Sequence, residues 1–309
     1  MRHKKEERYD YSKWYVDLFA DELPKKNERS TYLGLLAETS RKVYLSIDEF
    51  IKPTLIAGAT GNGKTVVAQI IVEEALLKGI PAVVIDPTHQ WTGFKEALTD
   101  ERMLRRYTRF GLSHPRPFAT TIAAPSQPLD SQHLMTPGTL TVFAVKHASS
   151  RSLVEFASSL MHSLQTVITE PSSTLNLLVV FEEFHRMHLE ESSSRGFRVL
   201  FGSFDEFSNR GIGIILISHV LSDFGEAMLI SSNNHIQMRT TSDADLGLIE
   251  KRYGMNRMKS LSHAEVGVGM VYNASFNNGY AVFVEFRPLY HHINGILEEH
   301  FPDKNQKRA

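Results

Sequence analysis

The sequence contains no cysteine in its 309 residues. Disulfides, thiolate catalysis and cysteine-based zinc sites are therefore excluded. It also lacks a long apolar run. Stretches such as GIGIILIS fall well short of the roughly 18 residues that a membrane span requires. The N-terminal MRHKKEERYDYSKWY is charged and has no apolar centre, so no secretory signal is expected. No charge sign dominates: 34 lysines and arginines face 35 aspartates and glutamates, a net charge of -1. No global basic field advertises nucleic acid, although a groove or pore needs only local positive charge. Repeats and low-complexity tracts are missing, and no Asn-Lys-x-Asp guanine-reading motif occurs, which argues against a GTPase. These absences lead to the expectation of a soluble cytoplasmic protein. The apolar content of 42 % supports a sizeable core rather than global disorder.

What is present is an alternation of strands and helices. Residues 1–30 are charged and carry Tyr9, Tyr11, Trp14, Tyr15 and Phe19. They read as a surface arm with one short amphipathic helix, or as an arm that docks on a neighbouring subunit. TYLGLL and KVYLSI, separated by AETSR, predict a hairpin. PTLIAG then predicts a buried strand, KTVVAQIIVEEALLKG a helix stopped by Gly79 and Pro81, and PAVVID the next strand. A strand–helix–strand unit of this kind signals a parallel sheet. Residues 88–138 fit the alternation poorly and read as an insertion with some helix around 93–107. Beyond them, TLTVFAV, NLLVVFEEF, GIGIILISH, HIQMRTT and YAVFVEFR predict strands. SLVEFASSLMHSLQTVI and SSRGFRVLFGSFDEFSN predict helices. The predicted organisation is an arm and hairpin over 1–50, an α/β domain over 51–290 and a tail over 291–309.

Three segments carry chemistry. GATGNGKT, Gly58 to Thr65, fits G-x-x-x-x-G-K-[ST] with a strand before it and a helix after it. Gly58, Gly61 and Gly63 let the backbone turn its N–H groups inward. With Thr60 and Asn62 they would line the phosphates of ATP at the positive end of the helix. Lys64 would reach the β and γ phosphates, and the Thr65 hydroxyl would ligate Mg²⁺. The bland alternative is a chance glycine-rich turn. LLVVFEEFH, Leu177 to His185, is a buried strand ending in two acids. Glu182 would hold Mg²⁺ and Glu183 would polarise the attacking water; the alternative is a strand followed by solvated acids. GIGIILISH ends in Ser218 and His219, a candidate γ-phosphate sensor or an ordinary strand end. Asp86 either supports the acids or caps the turn after its strand.

Arg210 and Arg239 are candidates for an arginine that completes a neighbour's site; the alternative for each is a solvated or ion-paired side chain. The run Arg102, Arg105, Arg106, Arg109 and Arg116, interleaved with Tyr107 and Phe110, reads as a DNA-phosphate contact or, given Asp100 and Glu101, as a solvated helix face. No histidine spacing suggests a metal site, and His291 and His292 read as surface or core residues.

Together these segments resemble the HerA/FtsK superfamily of DNA-pumping ATPases, and HerA most closely. The resemblance lies in KVYLSIDEFIKPTLIAGATGNGKTVVAQ, VVIDPTHQW, VVFEEFHR, GIGIILISHVLSD, IQMRTTSDADLGLIEKRYG and LSHAEVGVGMVY, in that order over roughly 31–290. It implies a RecA-like core, a hexameric ring, double-stranded DNA in a central channel and Mg-ATP between subunits. It also implies a nuclease or other effector partner in DNA processing or phage defence. His219 stands where the family usually has glutamine. Ser208 holds the place of the family's usual arginine, with Arg210 directly before Gly211. About fifty residues precede the P-loop, so the family's N-terminal barrel is expected to be missing or reduced to the hairpin. The rival readings are a conjugation, secretion or genome-packaging motor, and a nucleotide-gated scaffold that assembles an effector without moving anything.

Overall fold

The computed structural model describes residues 23–125, 132–188 and 204–293. Most of the predicted arm, the tail beyond 293 and residues 193–203 of a predicted helix lie outside the described residues.

The strands are β1 (Ser30–Leu36), β2 (Lys42–Ser46), β3 (Thr54–Ala57), β4 (Ala82–Asp86), β5 (Thr120–Ala123), β6 (Leu140–Ala144), β7 (Ser172–Phe181), β8 (Arg210–Ile217), β9 (Asn234–Met238), β10 (Val268–Asn273) and β11 (Val282–Phe286). The helices are α1 (Lys64–Leu77), α2 (Glu101–Phe110), α3 (Ser150–Val167), α4 (His185–His188), α5 (Phe204–Asn209), α6 (Gly225–Ser231), α7 (Asp243–Tyr253) and α8 (Met255–Ser262). All the strands form one sheet, ordered β2-β1-β11-β10-β9-β3-β8-β7-β4-β6-β5. From β9 through β5 the pairing is parallel. From β9 through β2 it is antiparallel. This is the α/β, mostly parallel sheet that the alternation predicted.

The parallel strands are short apolar runs because they are covered on both faces. Every residue of β4 is buried, as is every residue from Leu177 to Phe181 in β7. Burial of these runs removes apolar surface from water at about 25 cal/mol per Å² and is the main force holding the sheet together.

Two segments sit differently from a linear reading. The N-terminal hairpin extends the same sheet, with Leu35 of β1 opposite Glu285 of β11. Residues 88–138 supply α2 and the edge strand β5, which pairs with β6. This segment is stitched to the chain after β11. Leu98 and Arg116 both donate their N–H to the Tyr290 carbonyl, at 3.0 and 2.9 Å, and His292 donates to Glu96 at 2.8 Å. LSHAEVGVGMVY, not read as a strand from sequence, supplies most of β10, which lies between β9 and β11.

The topology gathers the chemistry. The central strand β3 lies between β9 and β8, and its chain leaves through the P-loop into α1. Asp86, Glu182, Ser218 and Arg239 all stand at or just beyond the carboxyl ends of parallel strands, on the P-loop's edge of the sheet. Ligands of open α/β sheets bind at that edge.

Candidate functional site

The P-loop takes its shape from its glycines. Gly58 has φ 144°, and a Cβ there would stand 2.7 Å from the Met238 Cβ and 2.9 Å from the Met238 carbonyl. Only a residue without a side chain lets the loop lie against the end of β9. Gly63, at φ 97°, is the left-handed N-cap of α1, with no side-chain cap among the described residues. The first N–H groups of the helix are thus turned toward whatever binds in the loop. The Ala59 N–H donates to the Arg239 carbonyl at 2.9 Å. Asn62 braces the loop from within, its amide donating to the Ala59 carbonyl at 3.2 Å.

Lys64 is nearly buried and its ammonium donates to the Ala59 carbonyl at 3.3 Å. Burial lowers its pKa, against the opposing charges of Glu183 and Glu182. The Thr65 hydroxyl donates to Glu182 Oε1 at 3.0 Å, across 117 residues of sequence. The other oxygen of Glu182 accepts from the Trp91 indole N–H at 3.0 Å. Sequence reasoning missed Trp91, because nothing in THQWTG marks a partner for an acid 91 residues away. Burial pushes Glu182 up to about 8, reinforced by the neighbouring charges of Glu183 and Asp86 and opposed by its two hydrogen bonds. A buried carboxylate with no cationic partner among the described residues, beside a P-loop hydroxyl, is an oxygen donor set suited to a hard divalent cation.

Glu183 has a left-handed backbone, φ 55°. Its Oε2 accepts from His219 Nε2–H at 2.7 Å and lies 3.4 Å from His185 Nδ1. Burial alone would raise Glu183. The His219 hydrogen bond and the charges of His219, His185 and Lys64 bring it below the ordinary carboxylate range instead. His219 closes a chain across the site, because its Nδ1 lies 3.2 Å from the Thr60 hydroxyl. Ser218, its neighbour, turns away and donates to Asp223. Asp86 caps its own turn: it accepts from the Thr88, His89 and Trp91 N–H groups.

Beside the loop opens a cleft of about 270 Å³. Thr60, Lys64, Thr65, Glu183 and His219 line it, together with Met103, Arg106, Phe286, Arg287, Pro288, Leu289 and Ile293. Residues after β11 therefore line the cleft, a role that the sequence did not signal.

The two arginines part company. Arg239 is exposed at the end of β9, and its carbonyl holds the P-loop. Arg210 begins β8, at the opposite end of the sheet. Its guanidinium is held by the carbonyls of Gln165 and Ile168, at 2.7 and 3.3 Å, and by Glu206 at 2.7 Å. The arginine-rich run is largely met from within. Arg102 pairs with Asp100, Arg105 with Glu101, and Arg106 and Arg109 both with Glu285. Four of the five arginines of the run thus meet acids of their own chain.

A parallel α/β sheet, a P-loop at its central strand and an acid pair on a nearby strand end define a P-loop NTPase. Residues 31–178, just under half of the chain, match the model of the family described as helicase HerA, central domain. No curated protein matches the chain in sequence at a significant level. Among solved structures it is similar to VirB4 of Thermoanaerobacter pseudethanolicus, with a TM-score of 0.58 at 14% identity over 85% of this chain and 97% of that one. It is similar to the cytoplasmic domain of the Thermomonospora curvata Type VII secretion ATPase EccC, with a TM-score of 0.54 at 17% identity over 88% of this chain and 30% of that one. The genome packaging NTPase B204 from Sulfolobus turreted icosahedral virus 2, in complex with sulfate, matches with a TM-score of 0.50 at 11% identity over 78% of this chain and 98% of that one. At these identities the likeness is one of fold. Among the described residues no helix is long and apolar enough to cross a membrane.

Proposed function

We propose that the chain couples ATP hydrolysis to movement along double-stranded DNA, working as a ring of subunits, most simply a hexamer, with a nuclease or other effector as partner. The observation that carries the reading is a half-complete hydrolysis site in a chain with a HerA-type central domain. Lys64, Thr65, Glu182, Glu183 and His219 converge on one cleft. Of the described arginines, Arg106 and Arg287 line the cleft, and both are paired within their own chain, Arg106 with Glu285 and Arg287 with Glu73 and Glu74.

Thr65 and Glu182 would hold Mg²⁺, which neutralises phosphate charge when bound. Lys64 binds the phosphates. Glu183, kept ionised and oriented by His219, accepts a proton from an attacking water and turns it toward the γ-phosphate. The hydrogen bonds that join His219 to Glu183 and to Thr60 link the acid to the P-loop, so a phosphate in the loop would be felt at the acid. The missing positive group comes from a neighbouring subunit, with Arg239 the better-placed donor, since Arg210 is engaged inside its own chain.

The test is ATP turnover with and without duplex DNA at several salt concentrations. Duplex of any sequence is expected to stimulate turnover, with binding that weakens steeply as salt rises. Turnover indifferent to duplex, with a candidate nuclease partner present, would remove the translocase and leave the scaffold.

A further inference from the structure

We propose that Glu183, His185 and His219 form a site for a divalent cation of the zinc type, separate from the Mg²⁺ position, whose occupancy stops hydrolysis. The inhibitory half of this inference rests on the reading of Glu183 as the water-polarising acid.

The three side chains come from two strand ends. Glu183 and His185 follow β7, and His219 follows β8, its parallel neighbour. Glu183 Oε2 lies 2.7 Å from His219 Nε2 and 3.4 Å from His185 Nδ1, and one ligand atom from each residue falls within 4.8 Å of the other two. Ligands around a tetrahedral zinc, with bonds of about 2.0–2.1 Å, stand roughly 3.4 Å from one another. The trio's ligand atoms thus already stand near that spacing.

Two further features suit a metal. His185 Nδ1 is buried and makes no hydrogen bond among the described residues, so a cation displaces nothing there. His219 meets Thr60 through its other nitrogen at 3.2 Å. With a cation on Nε2, the Nδ1–H donates to the Thr60 hydroxyl, and such a partner fixes the tautomer and the ring of a metal-bound histidine. Glu183 and His219 line the open cleft, which supplies an access path and a fourth position for water.

The ligand types decide which ion binds. Two imidazoles and one carboxylate favour Zn²⁺, Co²⁺ or Ni²⁺, whereas Mg²⁺ demands oxygens. The oxygens of Thr65 and Glu182 are the hard site, and the nitrogen-rich trio is the softer one. His219, in place of the family's usual glutamine, creates the second imidazole. A carboxylate committed to a cation cannot take a proton from water, so the ion blocks the chemical step and leaves the phosphate-binding loop open.

The experiment titrates Co²⁺ alone into the full chain without nucleotide and follows visible absorption. One Co²⁺ per chain with a four-coordinate spectrum is expected, unchanged by excess Mg²⁺. His185→Asn and His219→Gln are each expected to weaken Co²⁺ binding about tenfold or more. Thermal melts by circular dichroism check that both variants fold, and Glu183→Gln offers a third ligand deletion. Zn²⁺ is then expected to lower kcat but not raise KM for Mg-ATP, with about tenfold more Zn²⁺ needed in His185→Asn. A six-coordinate spectrum, or folded variants that bind Co²⁺ like the wild type, overturns the site and leaves the trio a hydrogen-bonded set. Co²⁺ binding as expected in a chain that hydrolyses no ATP upholds the site and sinks the functional reading instead. Zn²⁺ binding without loss of turnover overturns the inhibition.

Discussion

Glu73 and Glu74 lie in the P-loop helix α1, and Glu182 and Glu183 follow β7. In sequence the two acid pairs look alike, each at the end of an apolar run, yet the fold treats them in opposite ways. Glu73 is fully buried and meets Arg287 at 2.7 Å and His291 at 2.7 Å, while Glu74 meets Arg287 at 3.0 Å. Burial alone would raise Glu73, but the Arg287 charge and the His291 hydrogen bond hold it below the ordinary range. Glu182 is just as buried, has only a hydroxyl and an indole as donors, and is pushed up to about 8. Burying a carboxylate is costly unless its charge is met. The first pair is met from within and fastens the segment after β11 onto α1. In the second, Glu182 makes no salt bridge among the described residues, which suits the Mg²⁺-binding role proposed for it. An unmet buried acid facing a P-loop is what distinguishes a site from a strut.

Removing the acid proposed to act on water gives the largest expected effect. Glu183→Gln is expected to keep Mg-ATP binding and lower turnover by about 10²–10⁴-fold, the usual contribution of a positioned base. Lys64→Ala is expected to abolish tight binding itself, because it removes the charge facing the β and γ phosphates. Equilibrium binding of a fluorescent nucleotide, beside steady-state turnover, separates the two outcomes. Glu183→Gln turning over at the wild-type rate would collapse the contrast between the pairs.

The second test asks whether a neighbouring subunit supplies a positive group to the site. Arg239→Ala is expected to leave nucleotide binding intact and cut hydrolysis by about 10³. Arg210→Ala faces the same assay. Because that guanidinium is held by Gln165, Ile168 and Glu206, its main expected cost is a loss of about 1 kcal/mol of stability. Mixing inactive Arg239→Ala with inactive Lys64→Ala is expected to restore some turnover, since some interfaces would pair an intact loop with an intact arginine. Native mass measurement must first show mixed assemblies. Mixed rings without activity for either arginine would remove both as trans donors.

Arg287 is the matching probe of the structural pair. Its side chain is fully buried between Glu73 and Glu74. Arg287→Met strands two acids and is expected to cost about 3–5 kcal/mol, the usual effect of breaking a buried pair. Urea unfolding at neutral pH measures it, and a change under 1 kcal/mol would mean that the network carries no stability.

Which of these residues could be read from sequence follows from how local their signals are. The P-loop was legible because its glycine spacing encodes a backbone path within eight residues, and Glu182 and Glu183 because they terminate a buried strand. Trp91 and His185 were not, since their roles depend on which strand ends the sheet places side by side. Arg287 looked like the polite end of YAVFVEFR, and His291 like any surface or core histidine. Their pairing with Glu73 joins positions 214 and 218 residues apart. The hairpin was legible, but its place beside β11 was not, because strand order leaves no mark in local pattern. Histidine spacing along the chain showed no metal cluster, since His185 and His219 meet only across β7 and β8.

The smallest effect is a pH dependence, and it distinguishes how the first pair is neutralised. The groups facing Glu73 are Arg287 and His291 from the segment after β11, with Glu74 from its own helix, Tyr107 from α2 and His292 nearby. Burial lowers the His291 pKa, against the pull of Glu73. The imidazole is therefore neutral and donates its Nδ1–H, and Arg287 is the counterion. Both Glu73 and His291 sit below their ordinary values of about 4.3 and 6.5, so the unfolded chain takes up protons that the folded chain refuses. The stability contributed by His291 is thus present above about pH 6.5 and declines as pH falls below it, and that of Glu73 declines below about pH 4.3. His291→Asn, which cannot take up that proton, is expected to be less stable at pH 7.5. Its stability should also fall more slowly than the wild type's between pH 6.5 and 5, by at most about 1.4 kcal/mol per pH unit. Urea midpoints across that window supply both slopes. Parallel slopes would mean that His291 protonates as readily when folded as when unfolded. The ion pair would then be a triad with a charged imidazole rather than a guanidinium clamp with a neutral donor.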